Sequence, residues 1–142
     1  MKTSQAGIDM IKRFEGKRLS SYRDSVGVLT IGYGTTGKHV HEHQHISIET
    51  AEAWLREDVR RFEHCITGAV KVPLTQNEFD ALVSFTYNLG CGAFRKSTLL
   101  KKINDKQMES ASGEFPRWSH AGGKVLAGLV TRRDEERELF LA

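Results

Sequence analysis

The spacing of apolar residues predicts helices over most of the chain. Ile8, Ile11 and Phe14 recur every three residues, which indicates an amphipathic helix over residues 4–15. Apolar residues follow helical spacing again over residues 47–66, the longest such pattern in the sequence. Each of these helices is expected to pack one face against a core and leave the other in solvent.

Further helices are predicted downstream. Thr75 and Glu78 have the spacing of a capping box, and the apolar residues behind them spread over more than one face up to Gly90. We therefore expect a buried central helix there. Shorter helices are expected after Ser97, over residues 107–118 and after Gly128, with a connector at residues 91–96 and a loop that starts at Gly122.

Residues 19–36 change from helical spacing to strand-forming residues punctuated by glycine. Val26 and Ile31 favour strands, while Gly32 and Gly34 permit turns and close approach of the backbone. The stretch predicts a sheet of two or three short strands. Such a sheet is too small to be stable alone and must pack against helices.

Three polar residues around this sheet form a candidate catalytic set. Glu15 precedes Gly16, a residue typical of helix ends, so its carboxyl should lie at the negative end of a helix dipole and keep its proton more readily than a free glutamate. Asp24 lies in a short polar turn and should be ionised, and Thr30 offers a strand hydroxyl. One protonated carboxyl, one ionised carboxyl and a hydroxyl that can hold a water are what a glycosidase requires.

The spacing of Glu15, Asp24 and Thr30, with the threonine opening Thr-Ile-Gly-Tyr-Gly, resembles the bacteriophage lysozyme family of endolysins. Those are muramidases of glycoside hydrolase family 24, which cleave bacterial peptidoglycan. The resemblance covers nearly the whole chain, because it continues in three later blocks, at residues 73–90, 97–100 and 128–140.

The resemblance implies a lysozyme-like α+β fold in a single domain over residues 1–142. A small N-terminal lobe with the β-hairpin would cover residues 14–46, and a helical C-terminal lobe residues 67–142, together with the N-terminal helix. The long helix at residues 47–66 would join the lobes, and the substrate cleft would lie between them.

By the same resemblance, Glu15 would protonate the leaving oxygen of the β-1,4 bond between N-acetylmuramic acid and N-acetylglucosamine. Asp24 and Thr30 would position and activate a water on the opposite face of the sugar. That arrangement predicts inversion and a distance of roughly 6.5–9.5 Å between the two carboxyl groups. No metal ion and no cofactor is implied.

The resemblance also assigns contacts within the cleft. Substrate-binding positions of the family match Gly34, Tyr87, Asn88 and Ser97. Hairpin geometry, core packing and helix capping would equally account for these four residues.

An arginine near the C-terminus holds the acidic residue in relatives, and here either Arg132 or Arg133 could hold Glu15. The sequence does not choose between the two. The family commonly has histidine where this chain has Thr35, which puts in doubt a buried histidine pair at that position.

The biological role implied by the resemblance is lysis of a bacterial host. The protein would be a monomer in the host cytoplasm until lysis and would then act on peptidoglycan in the periplasm, with access through a separate membrane-permeabilising protein. No apolar run is long enough for a signal sequence or a membrane span. The formal net charge of +3 suits an anionic wall, and no basic run is long enough to favour nucleic acid.

Histidines and cysteines offer other chemistry. Residues 41–45 match the His-Glu-x-x-His zinc motif, but that motif requires a helix, and the stretch is confined between Gly37 and a helix start at Ser47. An exposed loop is the preferred interpretation. Cys65 and Cys91 match no metal spacing and are expected as free thiols rather than as a disulfide.

Three other functions stay open at this stage. A lytic transglycosylase would use one glutamate and would not need Asp24 and Thr30. A zinc peptidase would use the histidine loop. A non-catalytic wall-binding module would keep the fold without needing Glu15.

Overall fold

The computed structural model describes residues 1–142 and confirms the predicted α+β class, with helices around two short hairpins. The elements in chain order are α1 (Gln5–Glu15), β1 (Arg18–Arg23), β2 (Leu29–Gly32), α2 (Ile48–Ala69), α3 (Gln76–Leu89), α4 (Cys91–Lys96), α5 (Thr98–Asn104), α6 (Met108–Ser112), a 3-10 helix (Phe115–Trp118), β3 (His120–Ala121), β4 (Lys124–Val125) and α7 (Ala127–Leu141). No helix among them has the length and apolar character needed to cross a membrane.

Helix α1 begins and ends where the sequence predicts. Ser4 caps its start by accepting a hydrogen bond from the backbone N–H of Gly7. Gly16, at φ +73°, ends the helix and donates its N–H to the carbonyl of Lys12. Glycine takes this conformation without the steric cost that other residues incur, so Glu15 is fixed as the last helical residue.

The buried carboxylate of Asp80 and the half-buried carboxylate of Glu63 fasten the start of α1 to helices α3 and α2. Asp80 of α3 accepts hydrogen bonds from the backbone N–H of Ser4 at 3.0 Å, from the Ser4 hydroxyl and from Gln76. Glu63 of α2 accepts from the N–H and the hydroxyl of Thr3, at 2.7 and 2.6 Å. The direction of α1, and hence the place where Glu15 emerges, is set by α2 and α3.

Strands β1 and β2 form the predicted hairpin, with two strands rather than three. They pair antiparallel, with Tyr22 opposite Thr30, and isolated bridges extend the pairing at Ser20 with His45 and at Ile31 with Thr35. Ile31 is fully buried. The hairpin packs on α2, as a sheet of this size requires.

Helix α3 is the buried centre of the molecule, as its apolar pattern predicts. Eight consecutive residues, Phe79 to Thr86, are buried. Their hydrophobic members belong to a core of 20 residues, most of which come from helices α1 to α7. Thr75 and Glu78 form the predicted capping box. Helix α2 begins after the Ser47 cap as expected but continues to Ala69, beyond the predicted end at residue 66.

Three predictions for the C-terminal half were wrong. Residues 91–96 form helix α4 rather than a connector, and residues 107–118 divide into α6 and a 3-10 helix that contains Pro116 rather than forming one helix. Gly122 and Gly123 form the turn of the β3–β4 hairpin rather than starting a loop. All of these elements are too short for a periodic pattern to identify them.

Cys65 and Cys91 are both free thiols, as expected. Burial, together with the hydrogen bond with Cys91, raises the pKa of Cys65 to about 11. Cys65 is therefore a protonated thiol at neutral pH.

Substitution of two glycines tests the packing at the start of α1. We expect Gly7→Ala to lower the free energy of unfolding by about 1–3 kcal/mol, because a Cβ there would lie 2.6 Å from Thr3 Cγ2 and 2.9 Å from Asp80 Cγ. Gly68→Ala is the matched control, since its Cβ would meet nothing within 4 Å. The control should gain up to about 1 kcal/mol from helix propensity. Urea denaturation of both variants measures the difference, and a Gly7→Ala variant as stable as the wild type would contradict the packing described.

Candidate active site

Glu15 is held at the end of α1 by Arg132 of α7. Arg132 Nη1 donates to Glu15 Oε2 at 2.7 Å, so the structure selects Arg132 of the two candidate arginines. The Arg132 side chain is buried, whereas 21% of the Glu15 side chain is exposed. The carboxyl is thus fixed from the protein side and remains accessible from solvent.

Arg132 has no freedom to turn away from Glu15, because its other nitrogens are also engaged. Its Nε donates to Glu136 Oε2 at 3.2 Å, and its Nη2 donates to the backbone carbonyl of Ser84 at 3.1 Å. A planar guanidinium bonded through all three nitrogens has a fixed orientation.

Arg133 points to a different partner. Its Nη2 donates to Asn88 Oδ1 at 2.8 Å, and the guanidinium lies 5.2 Å from the centre of the Phe85 ring. Its Nε forms an ion pair with Glu136 Oε1 at 2.8 Å, in a side-on geometry rather than as a linear hydrogen bond. Burial lowers the pKa of Arg133, and the charge of Glu136 opposes that change.

Glu136 is the residue that sequence reasoning missed. It is fully buried, and its carboxyl contacts both arginines as well as the hydroxyl of Ser84, which donates to Glu136 Oε2 at 2.6 Å. Burial raises the pKa of Glu136, and the charges of Arg133 and Arg132 oppose that rise. Glu136 follows Arg132 by four residues and Arg133 by three, and this spacing was the signal that could have indicated the ion pairs. Solvated ion pairs on an exposed helix face have the same spacing, so the signal does not predict burial.

Glu15, Arg132 and Asn88 open into one cavity. It has a volume of about 390 Å³ and is completed by Phe14, Leu126, Gly128 and Leu129. Apolar walls with a few convergent polar groups are typical of a ligand site. The structure therefore places two of the predicted site residues, Glu15 and Asn88, on the same surface.

Gly34 and Tyr87 lie against the other side of Glu15. Gly34 has φ +91°, and a Cβ at this position would stand 3.2 Å from Glu15 Oε1 and 3.5 Å from the Tyr87 hydroxyl. Tyr87 donates its hydroxyl to the backbone carbonyl of Tyr33 at 2.7 Å. The phenol, expected as a sugar contact, thus connects α3 to the turn that follows β2. Burial raises the pKa of Tyr87, and the charge of Glu15 raises it further.

Asp24 and Thr30 are joined through the backbone of Val28. Asp24 Oδ1 accepts from the N–H groups of Val26 and Val28 at 3.0 and 2.8 Å, and Thr30 Oγ1 donates to the Val28 carbonyl at 2.9 Å. These bonds leave Asp24 Oδ2 free, and they leave the Thr30 oxygen able only to accept. Each of these two atoms can therefore accept a further hydrogen bond.

Thr35 replaces the histidine that the family commonly has. It is buried, and its hydroxyl donates to Asp58 Oδ2 at 2.7 Å. Burial raises the pKa of Asp58, and the hydrogen bond from Thr35 opposes this rise. The hydrogen bond connects the turn after β2 to helix α2.

Neither Ser97 nor the histidine loop lines the cavity beside Glu15. The Ser97 hydroxyl donates to the Phe94 carbonyl and accepts from Leu100 N–H as the cap of α5, so its proton and one of its two acceptor lone pairs are in use. Residues 41–45 are not helical, and His45 bonds Ser20. No group of three or more His, Cys, Asp or Glu side chains in the structure could hold a metal ion.

Comparison with known proteins gives a consistent picture. The phage lysozyme family model matches residues 12–136. The chain is 50% identical to the endolysin of Bacillus phage PZA over 99% of its own length, and it spans 55% of that relative. The structure superposes with a TM-score of 0.93 on a P22 lysozyme mutant, with 41% identity and coverage of 100% and 99% of the two chains. It superposes equally, with a TM-score of 0.93, on the muramidase domain of SpmX from Asticaccaulis excentricus, at 39% identity and 99% and 98% coverage.

The burial of Tyr87 predicts an optical result. A free tyrosine ionises at about pH 10, whereas burial should keep the Tyr87 phenol neutral above that pH while the protein is folded. Between about pH 9 and pH 11, the tyrosinate absorbance at about 295 nm should therefore rise equally in the wild type and in Tyr87→Phe. Because the pKa of Tyr87 is raised in the folded state, the contribution of Tyr87 to the free energy of unfolding is fully present below about pH 10 and decreases as the pH rises further. A smaller absorbance rise in the folded variant would show that Tyr87 ionises normally.

Proposed function

The chain belongs to the phage lysozyme family, and we propose that it is a muramidase that hydrolyses the β-1,4 bond between N-acetylmuramic acid and N-acetylglucosamine in peptidoglycan. The observation that carries the proposal is the accessible Glu15 carboxyl, fixed by Arg132 at 2.7 Å on the wall of an open cavity. A general acid has to meet the leaving oxygen in a defined place, and this arrangement supplies one.

Glu15 acts as the general acid in this proposal. Its Oε2 is bonded to Arg132, while its Oε1 lies on the side of Gly34. A proton on Glu15 would be delivered to the glycosidic oxygen as the bond breaks. The buried guanidinium then stabilises the carboxylate that forms.

Asp24 and Thr30 act on the water. The Thr30 proton is committed to the Val28 carbonyl, so the Thr30 oxygen orients a water by accepting one of its hydrogens. Asp24 Oδ2 accepts the other and removes it as the oxygen attacks the anomeric carbon. A water held in this way attacks from the face opposite the leaving group and inverts the configuration.

Substrate contacts are proposed for the remaining predicted residues. Asn88 lines the Glu15 cavity, and its amide nitrogen can donate to a sugar oxygen. Gly34 allows the sugar chain to approach the backbone, since a side chain there would meet Glu15. Tyr87 and Ser97 keep their proposed substrate roles, although their hydroxyls already make structural bonds.

The wider proposal is an endolysin. The cleft would lie between an N-terminal lobe at residues 14–46 and a C-terminal lobe at residues 67–142. The protein would act as a monomer on the wall during host-cell lysis, after a separate permeabilising protein gives it access from the host cytoplasm. The name "endolysin" on relatives such as that of Salmonella phage P22, 42% identical over 100% of this chain and 99% of that protein, supports this role.

Product analysis of digested peptidoglycan tests the reaction. The wild type should release muropeptides with reducing ends. Glu15→Gln should lower the rate by roughly 10²–10⁴-fold, because it keeps the shape of the side chain and removes the proton that the acid donates. Glu135→Gln is the control, a surface carboxylate that pairs with Arg13, and its rate should equal that of the wild type.

Other products would point to other functions. Anhydro products, lighter by one water, would indicate a lytic transglycosylase and leave Asp24 without a catalytic role. Cut peptides and loss of activity with a chelator would indicate a zinc peptidase. Wall binding that is equal in the wild type and in Glu15→Gln, with no cleavage by either, would indicate a binding module.

The stereochemistry of the product is a second prediction. Proton NMR during hydrolysis of a muropeptide glycan should show the α anomer at the new reducing end before mutarotation, because attack by a water inverts the β bond. Asp24→Asn should abolish this reaction. A first product in the β configuration would contradict the inverting mechanism and would predict carboxyl groups only about 5 Å apart.

A further inference from the structure

We propose that Glu136 is a positioning residue that holds both the acid Glu15 and the substrate contact Asn88, each through its own arginine. This proposal rests on the function proposed above and adds to it a residue that does not touch the substrate. Glu136 is fully buried in α7, and its two carboxyl oxygens face the two arginines that bond Glu15 and Asn88.

The first branch runs from Glu136 to Glu15. Glu136 Oε2 accepts from Arg132 Nε at 3.2 Å, and Arg132 Nη1 donates to Glu15 Oε2 at 2.7 Å. Because the guanidinium is planar, fixing Nε also fixes the direction in which Nη1 points. The angle at which the acid is presented to a sugar therefore depends on Glu136.

The second branch runs from Glu136 to Asn88. Glu136 Oε1 lies 2.8 Å from Arg133 Nε, and Arg133 Nη2 donates to Asn88 Oδ1 at 2.8 Å. The amide oxygen of Asn88 is thereby occupied. Its Nδ2 is left as the donor that the cavity offers to a ligand, so the second branch determines how Asn88 can bind a sugar oxygen.

Charge explains why this position needs a carboxylate. Arg132 and Arg133 are adjacent and both buried, and two unscreened guanidinium groups repel each other. One carboxylate between them attracts both and offsets part of that repulsion, and Ser84 supplies an additional hydrogen bond to it. A glutamine would keep the size of the side chain but would offer one of the arginines an NH₂ group instead of an acceptor.

Steady-state kinetics of variants of the full chain test the proposal. In Glu136→Gln we expect kcat to fall about 10- to 100-fold as Glu15 loses its orientation. We also expect KM to rise about 5- to 10-fold, the equivalent of one hydrogen bond from Asn88. Arg133→Lys keeps a positive charge beside Glu136 but is too short to hold Asn88, so it should raise KM and leave kcat within about twofold of the wild type.

A double variant separates positioning from general loss of stability. Asn88→Ala alone should raise KM, and adding Glu136→Gln to it should raise KM no further while kcat still falls. Asn104→Ala is the stability control, because Asn104 bonds Ala69 and Lys71 at the end of α2 and does not line the cavity. It should lower the melting temperature without changing kcat or KM per folded molecule.

Each result has a defined meaning. A Glu136→Gln variant that loses thermal stability but keeps wild-type kcat and KM would overturn the inference, as would KM effects that add fully in the double variant. If Glu136→Gln does not fold, Arg133→Lys still tests the Asn88 branch, and unchanged KM in that variant would refute it. A wild type that fails to cleave peptidoglycan would instead refute the proposed function, so the two failures are distinguishable.

Discussion

The buried cluster of Arg132, Arg133 and Glu136 is the interaction on which the site depends. Removing three charged groups from water is expensive, and apolar side chains of similar volume often stabilise a protein as well or better at such a place. The cluster is therefore poorly explained as a contribution to stability. Its outward bonds, from Arg132 to Glu15 and from Arg133 to Asn88, give a physical reason for its presence. This buried polar cluster costs stability, and on the proposal above it serves to orient Glu15 and Asn88 at the surface.

Helix α1 is held in place at both ends, which also restricts the position of Glu15. Its first residues are bound by Asp80 and Glu63, and its last residue is bound by Arg132, so the helix is fixed at both ends to other elements. The turn after β2 then closes against Glu15 at Gly34 and is connected to α3 through the Tyr87 hydroxyl. Four separate elements meet at one carboxyl group, which suits the proposed role of Glu15 as an acid that acts in a defined direction.

Local signals in the sequence predicted the main elements of the fold, but they could not predict contacts between residues that are distant in the sequence. Helix starts depend on a cap and a few following residues, so the capping box at Thr75 and the end of α1 at Gly16 could be recognised directly. The choice between Arg132 and Arg133 could not be made, because adjacent residues point about 100° apart on a helix and only packing decides which of the two faces Glu15. Glu136 was missed because a charged residue is normally exposed, and its burial follows from two arginines and a serine brought together by the fold. The β3–β4 hairpin has two residues in each strand, fewer than any alternating pattern needs.

The hydrogen bond from Thr35 to Asp58 has a consequence for the range of conditions in which the site keeps its shape. A histidine at that position would gain and lose a proton between about pH 5 and 8, and its bond to an acidic partner would strengthen and weaken accordingly. A threonine hydroxyl carries no such charge and donates in the same way across that range. The donor of the bond between the turn beside Glu15 and helix α2 therefore does not change its charge with pH. A hydroxyl in place of an imidazole makes this connection less sensitive to the pH of the surroundings.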